Sequence, residues 1–248
     1  MIRFSDVKIR KTCVVLLLVS LLGAVWHCRS GEHLTTAAVI LEWEEDGPVT
    51  VFWREDGECS HHQTRFLARH SLPAWALVSY PGSGNTWTRY LLEAATGVFT
   101  GSVYNDDEIY KAGHLGEKRD HTDGSTLVQK THHSALGPQR KNFTWRIEHI
   151  EQFGGRGVLV IRNPYRAIIS FWNHKKAGHT NTAVLESLES EEFKTFVIDQ
   201  AERWLEVTQD WLELSHSCPV IFYEVSEVTV LRRNCFGFRR LNRIQMVK

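Results

Sequence analysis

The sequence predicts an α/β fold of three layers, a central parallel sheet with helices on both faces. Three observations lead there. Four strand-length runs, 76–79, 126–129, 157–161 and 219–223, are rich in Val, Ile and Leu and apolar on both faces. Helical patterns separate them, and strands that alternate with long crossovers make a parallel sheet. The chain has 248 residues, enough for one such domain with a sizeable core. Its formal net charge is zero, which removes any bulk electrostatic case for a nucleic-acid partner.

The elements follow in order. Arg3, Lys8, Arg10 and Lys11 precede an apolar run over 13–26. The basic flank predicts a cytoplasmic tail over 1–11, an uncleaved signal-anchor over 12–28 and a lumenal body, with a cleaved signal peptide as the alternative. Residues 29–71 are polar, carry the acidic group Glu42, Glu44, Glu45 and Asp46, and read as a stem with one short strand at 49–53. His61 and His62 lie beside Cys59, but no second Cys or His pair stands at zinc-site spacing, so no metal is expected. The domain proper runs over 72–224. Its helices are expected at 86–95, 143–153, 164–176 (opened by Pro164), 190–198 and 201–215. In the last, Trp204, Leu205, Val207, Trp211, Leu212 and Leu214 fall at helical spacing and read as core. Asn142-Phe143-Thr144 is a glycosylation sequon. Cys28, Cys59, Cys218 and Cys235 allow disulfides in three pairings, or stay as free buried thiols.

Ligands of parallel α/β sheets sit outside the carboxyl ends of the strands. Three polar clusters converge there. Tyr80-Pro81-Gly82-Ser83-Gly84-Asn85-Thr86-Trp87 follows the first strand and opens a helix, where unbonded backbone N–H groups make an anion site. Lys130-Thr131-His132-His133 follows the second strand, and Arg162-Asn163-Pro164 the third. The turn lacks the Gly-Lys-Ser/Thr ending of a nucleotide hydrolase and the G-x-S-x-G frame of a nucleophile elbow. What remains is a phosphate cradle with Ser83, Asn85 and Thr86 as donors. Arg162 suits bidentate pairing with a phosphate, and Ser170, about two turns into the following helix, reaches the same anion. Lys130 and His132 stand where an acceptor hydroxyl would arrive. Histidine serves as a general base, and His133 competes with His132 for that role.

These three blocks resemble the signature blocks of sulfotransferases that use 3'-phosphoadenylyl sulfate, over roughly residues 72–224. The runs 93–102 and 111–117 are similar, in particular, to the sulfotransferase domain of the WSC-domain-containing (sialate) sulfotransferases. The resemblance implies a P-loop-like fold and no metal requirement. It implies that Gly82, Ser83, Gly84, Asn85, Thr86 and Trp87 hold the donor's 5'-phosphosulfate, and that Arg162 and Ser170 hold its 3'-phosphate. His132 would take the acceptor's proton and Lys130 would stabilise charge on the sulfuryl group. The implied acceptor is a glycan or glycoprotein, and the implied location is the Golgi membrane, single-pass type II, with the catalytic domain lumenal. Three departures stand out. Many sulfotransferases carry Lys where this chain has Gly82. The Cys-rich WSC modules do not appear. Residues 225–248 diverge from the family and read as non-family sequence. These departures leave an inactive lumenal nucleotide-binding protein, or a truncated isoform without the donor-closing loop, as the alternative.

Overall fold

The computed structural model describes residues 41–57, 59–178 and 181–224. The expected anchor over 12–28, the divergent segment 225–248, Cys28 and Cys235 lie outside the described residues. Among those described, no helix is long and apolar enough to cross a membrane.

A parallel five-stranded sheet forms the centre. Its strands are β1 (Ala76–Ser79), β2 (Gly101–Ser102), β3 (Gln129–Thr131), β4 (Gly157–Ile161) and β5 (Val220–Phe222), in the order β2-β3-β1-β4-β5. Every pairing is parallel, with Leu77 opposite Lys130 on one side and Val158 on the other. All four residues of β1 are fully buried, as a central strand covered on both faces requires. From β1 the chain visits β2 and β3 on one side and then β4 and β5 on the other. The switch point therefore lies at the carboxyl end of β1, where such sheets open a ligand crevice.

Among the described residues, five α-helices complete the layers: α1 (Asn85–Thr96), α2 (Asp107–Lys111), α3 (Phe143–Glu151), α4 (Pro164–Ala177) and α5 (Glu191–Glu213). Local chemistry sets their starts. Asn142 and Ser190 cap α3 and α5 by accepting the N–H of Trp145 and Phe193. Pro164 opens α4 behind an Asn163 cap. Trp172, Trp211, Phe153, Phe171, Phe196 and Leu159 fill the main core between α3, α4, α5 and the sheet.

Several expectations change. The second strand lies at Gln129–Thr131, starting three residues later than the expected 126–129, so Lys130 and Thr131 are strand residues and His132 is the first residue past the edge. The two helices expected at 190–198 and 201–215 are one helix, α5, because no Gly or Pro interrupts the pattern. Val207 and Trp211 are core on it, but Leu205 and Leu212 are exposed. At 49–53 there is only an isolated bridge, Thr50 to Thr64, in place of a strand. The segment read as stem also packs: Thr64, Phe66 and Leu67 are buried, and Arg65 bridges Val98. Cys59 is buried, Cys218 is a free thiol, and burial pushes the Cys218 thiol up to about 12.

Candidate active site

The carboxyl edge of the sheet opens on a cleft of about 610 Å³, lined among others by Gly82, Gly84, Thr86, Lys130, His132 and Arg162. Parallel strands deliver all of these to one edge.

The turn after β1 is built for close approach. Gly82 and Gly84 both have positive φ, 75° and 86°, where a side chain is disfavoured. Gly84 is the N-cap of α1 and offers no side chain to its first turn. The first N–H groups of α1 therefore point outward at the positive end of the helix dipole. Tyr80 anchors the turn from behind, its hydroxyl donating to Gln200 Oε1 at 2.8 Å.

The side chains of the turn divide. Thr86 is exposed at the cleft. Ser83 is buried, and its Oγ has no hydrogen-bond partner. Asn85 differs from expectation: its amide turns inward, donating to Leu77 O at 2.9 Å and Ser79 Oγ at 3.1 Å. It braces the turn against β1, leaving only its backbone N–H for an anion. Trp87 also differs. It stacks on Tyr90 at 5.5 Å on the outer face of α1, away from the cleft lining.

Arg162 leaves the end of β4 and crosses back to the turn, where its Nη1 donates to Gly82 O at 2.7 Å. Its guanidinium lies 4.7 Å from the ring of Tyr223, which follows β5. Its buried Nε has no partner. Ser170 joins the cleft one helical face further along α4.

Lys130 and His132 form the opposite wall. Lys130 is only 6% exposed. Burial is the main cause holding its pKa below the ordinary lysine value, with Glu117 opposing and Arg89 adding to the fall. Its Nζ stands 5.7 Å from the Tyr104 ring. His132 Nδ1 lies 2.8 Å from Ser79 O. A carbonyl oxygen only accepts, so Nδ1 carries the proton and Nε2 keeps its lone pair. Burial, then the charge of Lys130, pushes the His132 pKa down to about 3. The imidazole is therefore neutral at physiological pH, the form a general base needs.

The structure places the adjacent histidines in different surroundings. His133 points the other way, its Nε2 2.9 Å from Asp210 Oδ2 on α5, with Arg146 on the same carboxylate at 3.1 Å. It is 4% exposed and sits among Trp145, His149 and Trp211. It belongs to the core network.

Two functional features escaped sequence reading. Tyr104, just past β2, donates its ring to a stack with His132 at 5.4 Å and accepts the His132 backbone N–H at 2.6 Å. Its one signal was its place shortly after a glycine-containing segment, too short to read as a strand. The second is the polar inner face of α1. Arg89 is fully buried, pairs with buried Glu117 and donates from Nε to Thr100 Oγ1 at 2.8 Å. Glu93 accepts the Thr100 N–H at 3.0 Å. Glu117 Oε2 reaches back to the Asp106 N–H at 3.3 Å. This network pins the loop 100–118 that carries Tyr104 against α1.

Comparison with known proteins finds relatives of one kind. A WSCD family member of Drosophila melanogaster is 34% identical over 184 residues, 72% of this chain and 54% of the relative. WSCD family members of Aedes aegypti and Drosophila pseudoobscura pseudoobscura are 34% and 33% identical over 153 residues, 60% of this chain and 44% of each relative. The chain spans about half the length of the curated relatives it matches. No family model matches, and no solved structure matches.

Proposed function

We propose that this chain, a relative of the WSCD family members, is a sulfotransferase that moves a sulfuryl group from 3'-phosphoadenylyl sulfate to a carbohydrate hydroxyl. One observation carries the reading. A neutral imidazole with its acceptor nitrogen free, His132, stands beside a buried ammonium, Lys130, in a cleft floored by the glycine-capped start of α1. The donor's chemistry is simple: it supplies a sulfuryl group on a phosphate leaving group.

The residues present fit such a donor. The positive-φ glycines leave room for an anion at the backbone, and buried Ser83 Oγ and Arg162 Nε lack partners. The α1 N–H groups and Thr86 would bind the phosphosulfate, and Arg162 with Ser170 the 3'-phosphate. His132 Nε2 would accept the proton of the attacking hydroxyl as its oxygen bonds to sulfur. Lys130 would place positive charge where the sulfuryl oxygens gather negative charge as the bond to the leaving phosphate breaks. Positioning and fixed charge do most of the work in such transfers.

The proposed setting is the Golgi lumen, with residues 12–28 as the membrane anchor and a glycan or glycoprotein as acceptor. Labelled-sulfate transfer to a glycan panel tests the activity. Thermal shift with adenosine 3',5'-bisphosphate, run in parallel, tests the cleft. His132→Ala is expected to spare nucleotide binding and stop transfer. A wild-type chain that binds the nucleotide yet transfers nothing would sink the catalytic reading.

A second reading has its own observation. The Tyr223 ring packs so closely on Gly84 that a Cβ there would stand 2.0 Å from Tyr223 Cε2. An aromatic ring laid across the turn favours a protein that binds the nucleotide without turning over. Tyr223→Ala separates the two: it activates transfer if the ring is an obstruction and leaves it unchanged or lower if it is not.

A further inference from the structure

We propose that Tyr104 is the positioning residue for His132, fixing both the backbone and the ring plane that aim Nε2 into the cleft. The inference rests on His132 being the proton acceptor.

The chain reverses sharply at the end of β3. His132 has φ −109° and ψ 13°, the sparsely populated bridge region, and His133 has φ 48° without being glycine. Backbone of this kind persists only where its surroundings hold it, and it gathers at functional sites. Two hydrogen bonds from the reversal itself hold it. The His133 N–H donates to Thr131 Oγ1 at 3.1 Å, and the His132 N–H donates to the Tyr104 hydroxyl at 2.6 Å. At the strand end, the His132 N–H thus goes to a side chain of a neighbouring loop.

The ring of Tyr104 does the second part. It stacks on the imidazole at 5.4 Å with 20° between planes. With the Nδ1 proton tied to Ser79 O at 2.8 Å, the imidazole is held on one edge and one face. Lys130 Nζ stands 5.7 Å from the same ring, so a single aromatic residue contacts both proposed catalytic groups. Burial raises the Tyr104 pKa, which keeps its hydroxyl protonated. The loop that delivers Tyr104 is itself tied to α1 through Glu117, Arg89 and Thr100. A generic aromatic packing role would need the ring but not the oxygen. Here the oxygen makes the closest contact to the reversal.

Tyr104→Phe keeps the ring and removes the oxygen. In protein with ¹⁵N-labelled histidine, the His132 signal is assigned by its loss in His132→Gln. Wild type is expected to show one tautomer at neutral pH, Nδ1 protonated and Nε2 bare. Tyr104→Phe is expected to show a tautomer mixture, with the His132 titration moving from about 3 toward the ordinary 6.5. In transfer assays kcat falls about 10²-fold, the scale of a small misplacement of a reacting group, with nucleotide affinity unchanged. A folded Tyr104→Phe with an unaltered His132 tautomer and titration overturns the proposal. Should that variant not fold, wild type still decides: a His132 amide that exchanges freely with solvent overturns it, and a protected one supports it. The NMR result does not depend on transfer. A perturbed tautomer in a protein that transfers no sulfate leaves Tyr104 in this role and removes the sulfotransferase reading alone.

Discussion

Gly82 lies against the backbone of α4, so close that a Cβ on it would stand 2.6 Å from the carbonyl oxygen of Ala167 and 3.0 Å from Phe171 N. This contact explains why position 82 is glycine. At φ 75°, with helix backbone on that side, no side chain fits without moving α4.

A lysine here is therefore expected to damage the protein. Gly82→Ala should cost on the order of 1–3 kcal/mol, from positive-φ strain and the clash together. Gly82→Lys should weaken nucleotide binding as α4 shifts Ser170 away. Urea unfolding and thermal shift with adenosine 3',5'-bisphosphate measure both. A Gly82→Lys chain with unchanged stability and improved transfer contradicts the close packing.

Arg162 joins the turn to the cleft through Gly82 O and the Tyr223 ring. Arg162→Ala should abolish nucleotide binding. Arg162→Lys should also bind poorly, because a lysine keeps the charge but loses the fork that holds carbonyl and anion together. Calorimetric titration with the same nucleotide distinguishes charge from geometry. Normal binding by Arg162→Ala would falsify the donor-site assignment.

Stability should fall on mild acidification. The pKa values of His132 and His149 are both pushed down to about 3 in the fold, mainly by burial, against an ordinary 6.5. Between those values the unfolded chain binds more protons than the folded one. The stabilising contribution is therefore complete above about 6.5 and is lost progressively as pH drops toward 3. Urea midpoints at pH 7.5, 6 and 4.5 should descend, and the descent should be shallower in His149→Gln. A flat profile contradicts neutral burial of these rings.

The Arg89–Glu117 pair is fully buried on both sides. Removing one partner strands a charge, so Glu117→Ala should cost about 3–5 kcal/mol. Glu117→Gln keeps the shape and part of the bonding and should cost less. Because Glu117 also holds the Asp106 N–H, both variants should loosen the loop 100–118. Hydrogen exchange over residues 100–118 measures this directly, with unaltered protection counting against it.

The fold was largely legible in the residues. The bounds of β1 and β4 and the start of α4 agree with the apolar runs and Pro164 to the residue. β2 was invisible because Gly101–Ser102 has neither the length nor the hydrophobicity of a strand signal. β3 was misplaced because Thr126 to Val128 look more strand-like than Lys130, whose burial in a strand no propensity anticipates. In the site, Gly82, Gly84, Thr86, Lys130, His132, Arg162 and Ser170 come together at one cleft. Asn85 also lines it while its side-chain amide braces β1, and Trp87 turns elsewhere, since its direction follows from packing of α1 rather than from the turn.

Local sequence alone determined the turn and its chemistry. Two glycines adopt positive φ, a helix follows directly, and its first N–H groups are left to face whatever lies ahead. Which histidine faces that site was decided only by the tertiary structure. His132 and His133 are neighbours of one type, and nothing local separates them. Ser79 on the adjoining strand takes the Nδ1 proton of one, and Asp210, 77 residues further along, takes the other into the core. A hydrogen-bond partner supplied by a distant element sets the direction of a side chain, and that direction is absent from the neighbouring sequence.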